Sequence, residues 1–188
     1  MKRIIAIVGL TGVGKSAMAL SLAERAPVEI VNADSRQVYR HMDIGTAKPS
    51  AEDRNITSHH VIDIVEPDQE FNLAIYLQLA RQAIDLIHKR GKTPLLVGGT
   101  GQYIWAMLEG WAVPAIPPNQ DLRKRLMLRA EANGSQVLFS DLKELDPDAA
   151  SRIDPRNLRR VVRALELLYE TGRPFNQVKG RGRLAYPS

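Results

Sequence analysis

The residues best suited to chemistry form a glycine-rich segment near the amino terminus, GLTGVGKS at Gly9–Ser16. It matches the pattern G-x-x-x-x-G-K-[ST], in which glycines let backbone N–H groups and a helix N-terminus point at one phosphate. Lys15 would bring a positive charge to the terminal phosphates, and the Ser16 hydroxyl would bind Mg²⁺. This phosphate loop could hold ATP for phosphoryl transfer or a diphosphate leaving group. The alternative is a glycine-rich turn with an exposed lysine.

A second polar segment, Asn32-Ala33-Asp34-Ser35-Arg36-Gln37, follows the next apolar run at Val28–Val31. Asp34 would lie at the carboxyl end of a strand, on the same sheet edge as the phosphate loop. A carboxylate there can bind Mg²⁺ or accept a proton from a nucleophile. The alternative is an aspartate that caps a turn, but the phosphate loop nearby favours a chemical role.

Two further segments carry polar groups toward this edge. Gly98-Gly99-Thr100-Gly101 follows a later apolar run. Its small residues allow close approach of a ligand or of a neighbouring backbone, and Thr100 brings a hydroxyl to a helix start. The pair His59-His60 is predicted to have a structural or hydrogen-bonding role rather than a metal-binding one. The reason is that the chain offers neither cysteine nor an acidic partner at a ligand spacing.

These groups must be positioned by alternating strands and helices. Helices are predicted from Lys15 to Arg25 and from Asn72 to Lys89, between runs of buried-strand character. Four strands are expected, at Ile4–Val8 (buried on both faces), Val28–Val31, His59–Val65 and Leu95–Val97. The alternation predicts an α/β fold, a P-loop doubly wound parallel sheet spanning residues 1–112.

Only helix signals follow the three prolines of Val113–Pro118. We expect a small helical appendage at 113–155, then a basic helix from 156 that returns to the core and a tail ending at 188. The excess of basic side chains in this part of the chain suggests a polyanionic partner for the appendage, although a solvated face is the commoner explanation. On the basic helix Arg156, Arg159, Arg160 and Arg163 share one face, opposite Leu158, Val161, Val162, Leu165 and Leu168. Such a face suits phosphodiester contacts, or it is a solvated face paired with local carboxylates.

Composition limits the remaining function classes. The 188 residues include no cysteine, which excludes disulfides, thiolate metal sites and a cysteine nucleophile. Residues 1–120 hold 12 basic and 12 acidic side chains, whereas 121–188 hold 14 and 9, so the net charge of +5 lies in the carboxyl-terminal third. No apolar run approaches the roughly 20 residues of a membrane span, and we expect a cytoplasmic protein without a membrane partner.

Taken in order, the segments resemble one family, the tRNA dimethylallyltransferases. The resemblance is carried by GLTGVGKS, NADSRQVYRHMDIGTAKP, HHVIDIVEP, GGTGQYI and NLRRVVRALELLYETGRP. It implies transfer of a dimethylallyl group from dimethylallyl diphosphate to the exocyclic amine of the adenosine 3′ of the tRNA anticodon, with Mg²⁺. The base would be flipped out of its stack, and the enzyme would act as a monomer.

The resemblance also implies site residues. Asp34 would be the general base, with Thr100 and Lys15 at the reacting centre and Ser16 on the metal. The residues expected to bind the diphosphate are Gly9, Thr11, Gly12, Val13, Gly14, Lys15 and Ser16. The residues expected to contact tRNA are Asp34, Ser35, Arg36, Gln37, Thr100, Arg123, Arg159, Arg160, Val161, Val162 and Arg163.

Two other functions stay open on the residues alone. A small-molecule kinase or phosphotransferase would share the phosphate loop and the core but would consume ATP and would not need the arginine face. An RNA-binding fragment would keep the basic helices without transferring anything, because members of the family normally continue beyond the TGRP segment.

Overall fold

A computed structural model describes residues 3–114 and 116–175 of the chain. The chain divides into two compact units, of which the first ends at Trp111 and the second begins at Ala112. This boundary lies one residue before the one that the three prolines predict. Among the residues described, no helix combines the length and apolar character needed to cross a membrane.

The first unit is built on a parallel sheet of four strands. They are β1 (Ile5–Val8), β2 (Val28–Asn32), β3 (His59–His60) and β4 (Thr93–Gly98), in the spatial order β1-β4-β2-β3. Because every pair is parallel, the carboxyl ends of all four strands meet at one edge. The predicted parallel α/β sheet is thus confirmed, and it brings the segments after β1, β2 and β4 together.

Three helices connect these strands and a fourth follows β4. They are α1 (Lys15–Ala23), α2 (Ala51–Ile56), α3 (Leu73–Lys89) and α4 (Gly101–Leu108). Ala19 of α1 packs against Val28, Ile30 and the β4 residues Leu95 and Val97, so this helix covers one face of the sheet. Helix α3 begins where the Asn72 side chain accepts hydrogen bonds from the first-turn N–H groups of Ala74 and Ile75, as its sequence predicts.

Two strand predictions differ from the structure. Strand β1 was expected to be buried on both faces, but Ile5 is 44% exposed and Val8 54% exposed, because β1 is an edge strand whose one neighbour in the described sheet is β4. The strand expected over 59–65 pairs only at His59–His60. Val61 and Asp63 then take positive φ angles of 60° and 54°, which end the extended backbone despite the alternating apolar pattern.

The second unit is helical, with α5 (Gln120–Asn133), α6 (Ser135–Leu145), α7 (Pro147–Ala150) and α8 (Leu158–Thr171). Its core includes Leu126, Leu138, Leu142, Val161 and Leu165. Since α8 supplies a large part of that core, the predicted division between 113–155 and 156–188 is wrong: both belong to one helical unit up to Phe175. The tail expected at 176–188 lies outside the described residues.

A buried carboxylate ties the helical unit together. Glu166 is fully buried and accepts hydrogen bonds from the Arg123 Nε (2.8 Å), the Arg163 Nη1 (2.6 Å) and the Asn119 backbone N–H (2.8 Å). Burial alone would raise the Glu166 pKa, but the two guanidinium groups and the backbone donor outweigh it and hold the pKa below its ordinary 4.5. Glu166 therefore joins α5 to α8 as an anion.

We expect Glu166→Gln to destabilise the chain by about 3 kcal/mol at pH 7, because it leaves two partly buried guanidinium groups without their counter-ion. Urea unfolding followed by circular dichroism measures this. The exposed Glu170 accepts one hydrogen bond from Asn119, and Glu170→Gln, the matched control, should cost less than about 1 kcal/mol. Because the folded pKa of Glu166 is lowered, its contribution is present above pH 4.5 and is lost as the pH falls through the folded value. If the loss of stability in Glu166→Gln relative to wild type became larger as the pH falls, this role would be contradicted.

Candidate functional site

The phosphate loop has the geometry that its sequence predicts. Gly12 and Gly14 take positive φ angles of 86° and 84°, a region in which any side chain would be strained. Gly14 caps the amino end of α1, so the helix begins directly at Lys15. The first-turn N–H groups of a helix lack intrahelical partners and can bind an anion. The loop therefore offers exposed backbone donors to a phosphate group.

Lys15 lies over this loop. Its ammonium group donates a hydrogen bond to the backbone carbonyl of Leu10 at 2.6 Å, and a Cβ added at Gly99 would lie 4.0 Å from its Nζ. The side chain thus bridges the phosphate loop and the end of β4. An anion bound at the loop would therefore lie close to the positive charge of the Lys15 ammonium group.

Asp34 is fixed by the side chain of a buried asparagine. Asn32 accepts a hydrogen bond from the Asp34 N–H at 3.0 Å and donates to the Asp34 carbonyl at 3.0 Å and to the Val61 carbonyl at 2.9 Å. The Asp34 Oδ1 accepts a hydrogen bond from the Arg36 N–H at 2.8 Å. Its Oδ2 has no donor among the described residues, so one carboxylate oxygen can take a proton or bind a cation.

Thr100 connects the end of β4 to the segment that contains Asp34. Its Oγ1 accepts a hydrogen bond from the Ser35 N–H at 2.9 Å, and its own N–H donates to the Ala33 carbonyl at 3.0 Å. Because Oγ1 accepts here, the hydroxyl hydrogen can still be donated to a ligand. Thr100 therefore forms hydrogen bonds with the residues on both sides of Asp34, as expected for a shared site.

The same close approach explains why residue 98 is glycine. A Cβ at Gly98 would lie 2.3 Å from both the carbonyl carbon and the oxygen of Ala33, so one of the two backbones would have to move. We expect Gly98→Ala to destabilise the chain by about 1–3 kcal/mol through overpacking. Thermal unfolding measures this effect, with Gly101→Ala as the control, since nothing lies within 4 Å of a Cβ there. Equal stability of the two variants would refute the close approach.

A cavity of about 190 Å³ lies at the carboxyl ends of the strands. Both predicted groups line it: Thr11, Gly12, Gly14, Lys15 and Ser16 from the phosphate loop, and Asp34 and Gln37 from the segment after β2. The expected juxtaposition of loop and carboxylate is therefore observed. Sequence reasoning missed several lining residues, namely Asn32, Thr46, Ala47, Pro49 and Asp53.

Both histidines have the hydrogen-bonding role that was predicted for them. The His59 Nδ1 lies 2.9 Å from the Thr57 carbonyl, which can only accept, so Nδ1 carries the proton. Burial lowers the His59 pKa, and His59 lines the cavity as a neutral ring. His60 lies 2.7 Å from the buried carboxylate of Glu29, on the next strand.

The donors at the cavity suit Mg²⁺ bound together with a phosphate group. Ser16 and Asp34 both line it and present oxygen atoms, the ligands that Mg²⁺ prefers. In the described ranges, no three His, Asp or Glu side chains lie close enough to hold a metal by themselves. Phosphate oxygens would therefore have to complete the coordination at Ser16.

The four arginines of the helical unit that are expected to contact tRNA fall into two groups. Arg159 and Arg160 are exposed, and neither forms an ion pair with another described residue. Arg123 and Arg163 instead bind the buried Glu166. Val161 and Val162, which were also expected to contact tRNA, have side chains buried in the helical core, as their place on the apolar face of α8 requires. Their contact with tRNA stays a prediction.

Comparison with known proteins gives a consistent result. A model of the IPP transferase family matches residues 37–187, and a model of the isopentenyl transferases matches residues 2–64. The chain is 52% identical over 178 residues to the tRNA dimethylallyltransferase of Herpetosiphon aurantiacus, covering 95% of this chain and 56% of that protein. It is 55% identical over 181 residues to that of Chloroflexus aurantiacus, covering 96% of this chain and 61% of that protein.

Solved structures agree. The full-length tRNA isopentenylpyrophosphate transferase from Bacillus halodurans is 43% identical with a TM-score of 0.59, and the match covers 93% of this chain and 58% of that one. A eukaryotic dimethylallyltransferase acting on tRNA is 32% identical with a TM-score of 0.77, covering 93% and 43%. The chain thus spans little more than half the length of the curated relatives that it matches. With most of its residues covered by the family model, it belongs to the IPP transferase family.

Proposed function

We propose that this chain transfers a dimethylallyl group from dimethylallyl diphosphate to the exocyclic amine of the adenosine 3′ of the tRNA anticodon. The observation that supports it most is the single cavity lined by both the phosphate loop and Asp34. One wall suits a diphosphate leaving group, and the other carries a carboxylate that can take a proton. The named activity of the relatives supports the choice of substrates.

The proposed reaction needs a base and an anion site in one place. The amine nitrogen attacks C1 of the dimethylallyl group and forms an N–C bond, while the C–O bond breaks and its electron pair leaves with the diphosphate. The amine proton passes to the free Oδ2 of Asp34. Asn32 keeps that carboxylate in place through its two hydrogen bonds with the Asp34 backbone.

The phosphate loop would stabilise the leaving group. Backbone N–H groups at Gly12–Ser16 and the Lys15 ammonium face the charge that develops on the diphosphate. Mg²⁺ held by the Ser16 hydroxyl and the diphosphate oxygens would supply further charge neutralisation. Thr100, whose Oγ1 already accepts from Ser35, would donate its hydroxyl hydrogen near the reacting centre.

The proposed RNA contacts follow from exposure and charge. The exocyclic amine is enclosed while its base is stacked, so the adenosine must be flipped out to reach Asp34. Arg36 and Gln37 belong to the same segment as Asp34 and would contact the nucleotide. In the helical unit, Arg159 and Arg160 are the exposed cations of the predicted stretch and suit phosphate contacts. We further propose that the protein acts as a monomer in the cytoplasm, where unmodified tRNA is found.

A transfer assay tests this function. The chain is incubated with Mg²⁺, unmodified tRNA and dimethylallyl diphosphate labelled in the dimethylallyl group. We expect the label to appear in the tRNA and diphosphate to be released in equal amount. Turnover of ATP with a small acceptor, without labelled tRNA, would favour the phosphotransferase alternative. Tight tRNA binding without transfer would favour an RNA-binding role.

A further inference from the structure

The segment between Arg40 and Lys48 carries an apolar side chain far into solvent. Ile44 begins a short 3₁₀ turn, Ile44–Thr46, and is 98% exposed, while Met42 beside it is 36% exposed. Leaving a large apolar residue almost fully in water forgoes the free energy of its burial. Single exposed apolar residues are common on protein surfaces, so the exposure of Ile44 alone does not mark a contact site. The backbone that carries it and the groups beside it supply the evidence.

The backbone under Ile44 is fixed by a buried lysine. The Lys48 side chain is only 1% exposed, and its ammonium group contacts the Asp43 Oδ1 at 2.6 Å, the Asp63 Oδ1 at 2.6 Å and the Tyr39 carbonyl at 2.8 Å. Burial alone would lower the Lys48 pKa, but the two carboxylates outweigh it and raise that pKa. Lys48 thus stays charged and links the segment to Tyr39 and Asp63, which lie outside it.

Further hydrogen bonds hold a strained backbone around the tip. His41 and Ala47, on either side of it, have positive φ angles of 62° and 47°. The Gln37 amide donates to the carbonyls of Thr46 and Ala47 at 3.0 and 3.2 Å. Strained residues persist only where their surroundings determine them, and they cluster at ligand contacts. The segment is therefore a rigid support for Ile44 rather than a loose loop.

This tip is continuous with the candidate site. Thr46 and Ala47 line the same cavity as the phosphate loop and Asp34. Thr46 also lines an adjoining surface hollow, together with Ile44 and Arg36. Arg36 is exposed, and its guanidinium forms no ion pair with the described residues. An apolar tip beside a free cation matches an unstacked nucleobase flanked by phosphates, because apolar wedges of isoleucine or methionine insert between base steps.

We infer that Ile44 is a wedge that enters the base stack of the anticodon loop and takes the place of the adenosine turned out toward Asp34. This inference rests on the proposed function and adds to it the surface that opens the RNA. Arg36 would hold the phosphate next to the vacated position. The partner is thus a single-stranded RNA loop rather than a folded protein.

The experiment uses the 188-residue chain and an anticodon stem-loop in which 2-aminopurine replaces the target adenosine. This base fluoresces when it leaves the stack, and it lacks the amine that accepts the dimethylallyl group. Wild-type protein should raise the fluorescence on binding. Ile44→Ser should bind the RNA within about threefold of wild type yet reduce the fluorescence rise about tenfold, because the gap in the stack is left unfilled.

Two control variants make the result specific. Ile56 at the end of α2 is 43% exposed, so Ile56→Ser removes an exposed isoleucine away from the tip and should behave as wild type. Ile44→Met keeps an apolar wedge and should restore most of the fluorescence rise. Failure of Ile44→Met to do so, with binding intact, would overturn the inference.

The remaining outcomes separate this inference from the proposed function. If Ile44→Ser gives the same rise in fluorescence as the wild type, the role of Ile44 as a wedge is overturned. The proposed transfer reaction is not affected by that result. A change in molecular mass by light scattering between wild type and Ile44→Ser would show that a second copy covers Ile44, which also overturns it. A wild-type chain that does not bind the stem-loop overturns the proposed function and the wedge with it.

Discussion

Asp34→Asn is expected to lower the rate of dimethylallyl transfer by about 10²–10⁴-fold, the range that a positioned general base contributes. Asparagine preserves the shape of the side chain and can still accept the hydrogen bond from the Arg36 N–H, but it cannot take the amine proton. Single-turnover transfer of labelled dimethylallyl groups to tRNA measures this effect. Binding of the diphosphate substrate, measured by calorimetry, should change little.

The matched control for Asp34→Asn is Asp68→Asn, which makes the same change at an exposed position outside the cavity. It should leave the rate unchanged. A rate for Asp34→Asn within a few-fold of wild type would contradict the role of Asp34 as base, even if the chain transfers the group.

Lys15→Ala is expected to lower transfer by about 10²–10³-fold, because the charge that faces the leaving group is lost. The Lys15 ammonium group also holds the Leu10 carbonyl of the phosphate loop, so the affinity for dimethylallyl diphosphate should fall as well. Calorimetric titration with the diphosphate substrate and the single-turnover rate together measure both effects.

Lys89→Ala serves as its control, since Lys89 is an exposed lysine at the end of α3. This variant has the same change in net charge and should retain both affinity and rate. Unchanged diphosphate affinity in Lys15→Ala would mean that the loop does not bind the leaving group.

The phosphate loop and Asp34 could be predicted from sequence because local rules determine them. Glycines are needed where φ is positive, as at Gly12 and Gly14, and this requirement is visible in the residue types themselves. A residue that follows a strand of a parallel sheet must lie at its carboxyl edge, which placed Asp34 and Thr100 together. Neither inference required knowledge of distant contacts.

The segment 36–65 could not be predicted, because residues far apart in the chain determine its shape. The buried Lys48 fixes the conformation of the segment by contacting Asp43 and Asp63. Those contacts accompany the positive φ angles of Val61 and Asp63, which end β3 early although the apolar alternation continues. The lining of the cavity by Thr46 and Asp53 depends on the same folding and had no sequence signal.

In the helical unit, the periodicity of the apolar residues predicted which side chains are buried. The 3.6-residue repeat placed Val161 and Val162 on the apolar face of α8, and both are buried. Glu166 was missed because nothing local shows that a carboxylate three residues after Arg163 is fully buried against α5. Its role depends on the packing of two helices.

The most direct test is a crystal structure of the chain with an unreactive thio analogue of dimethylallyl diphosphate. We expect the diphosphate oxygens to lie within hydrogen-bond distance of the backbone N–H groups of residues 12–16 and of the Lys15 Nζ, with the allylic carbon on the Asp34 side of the cavity. An analogue bound away from the loop, or an Asp34 carboxylate turned away from the allylic carbon, would contradict this expectation.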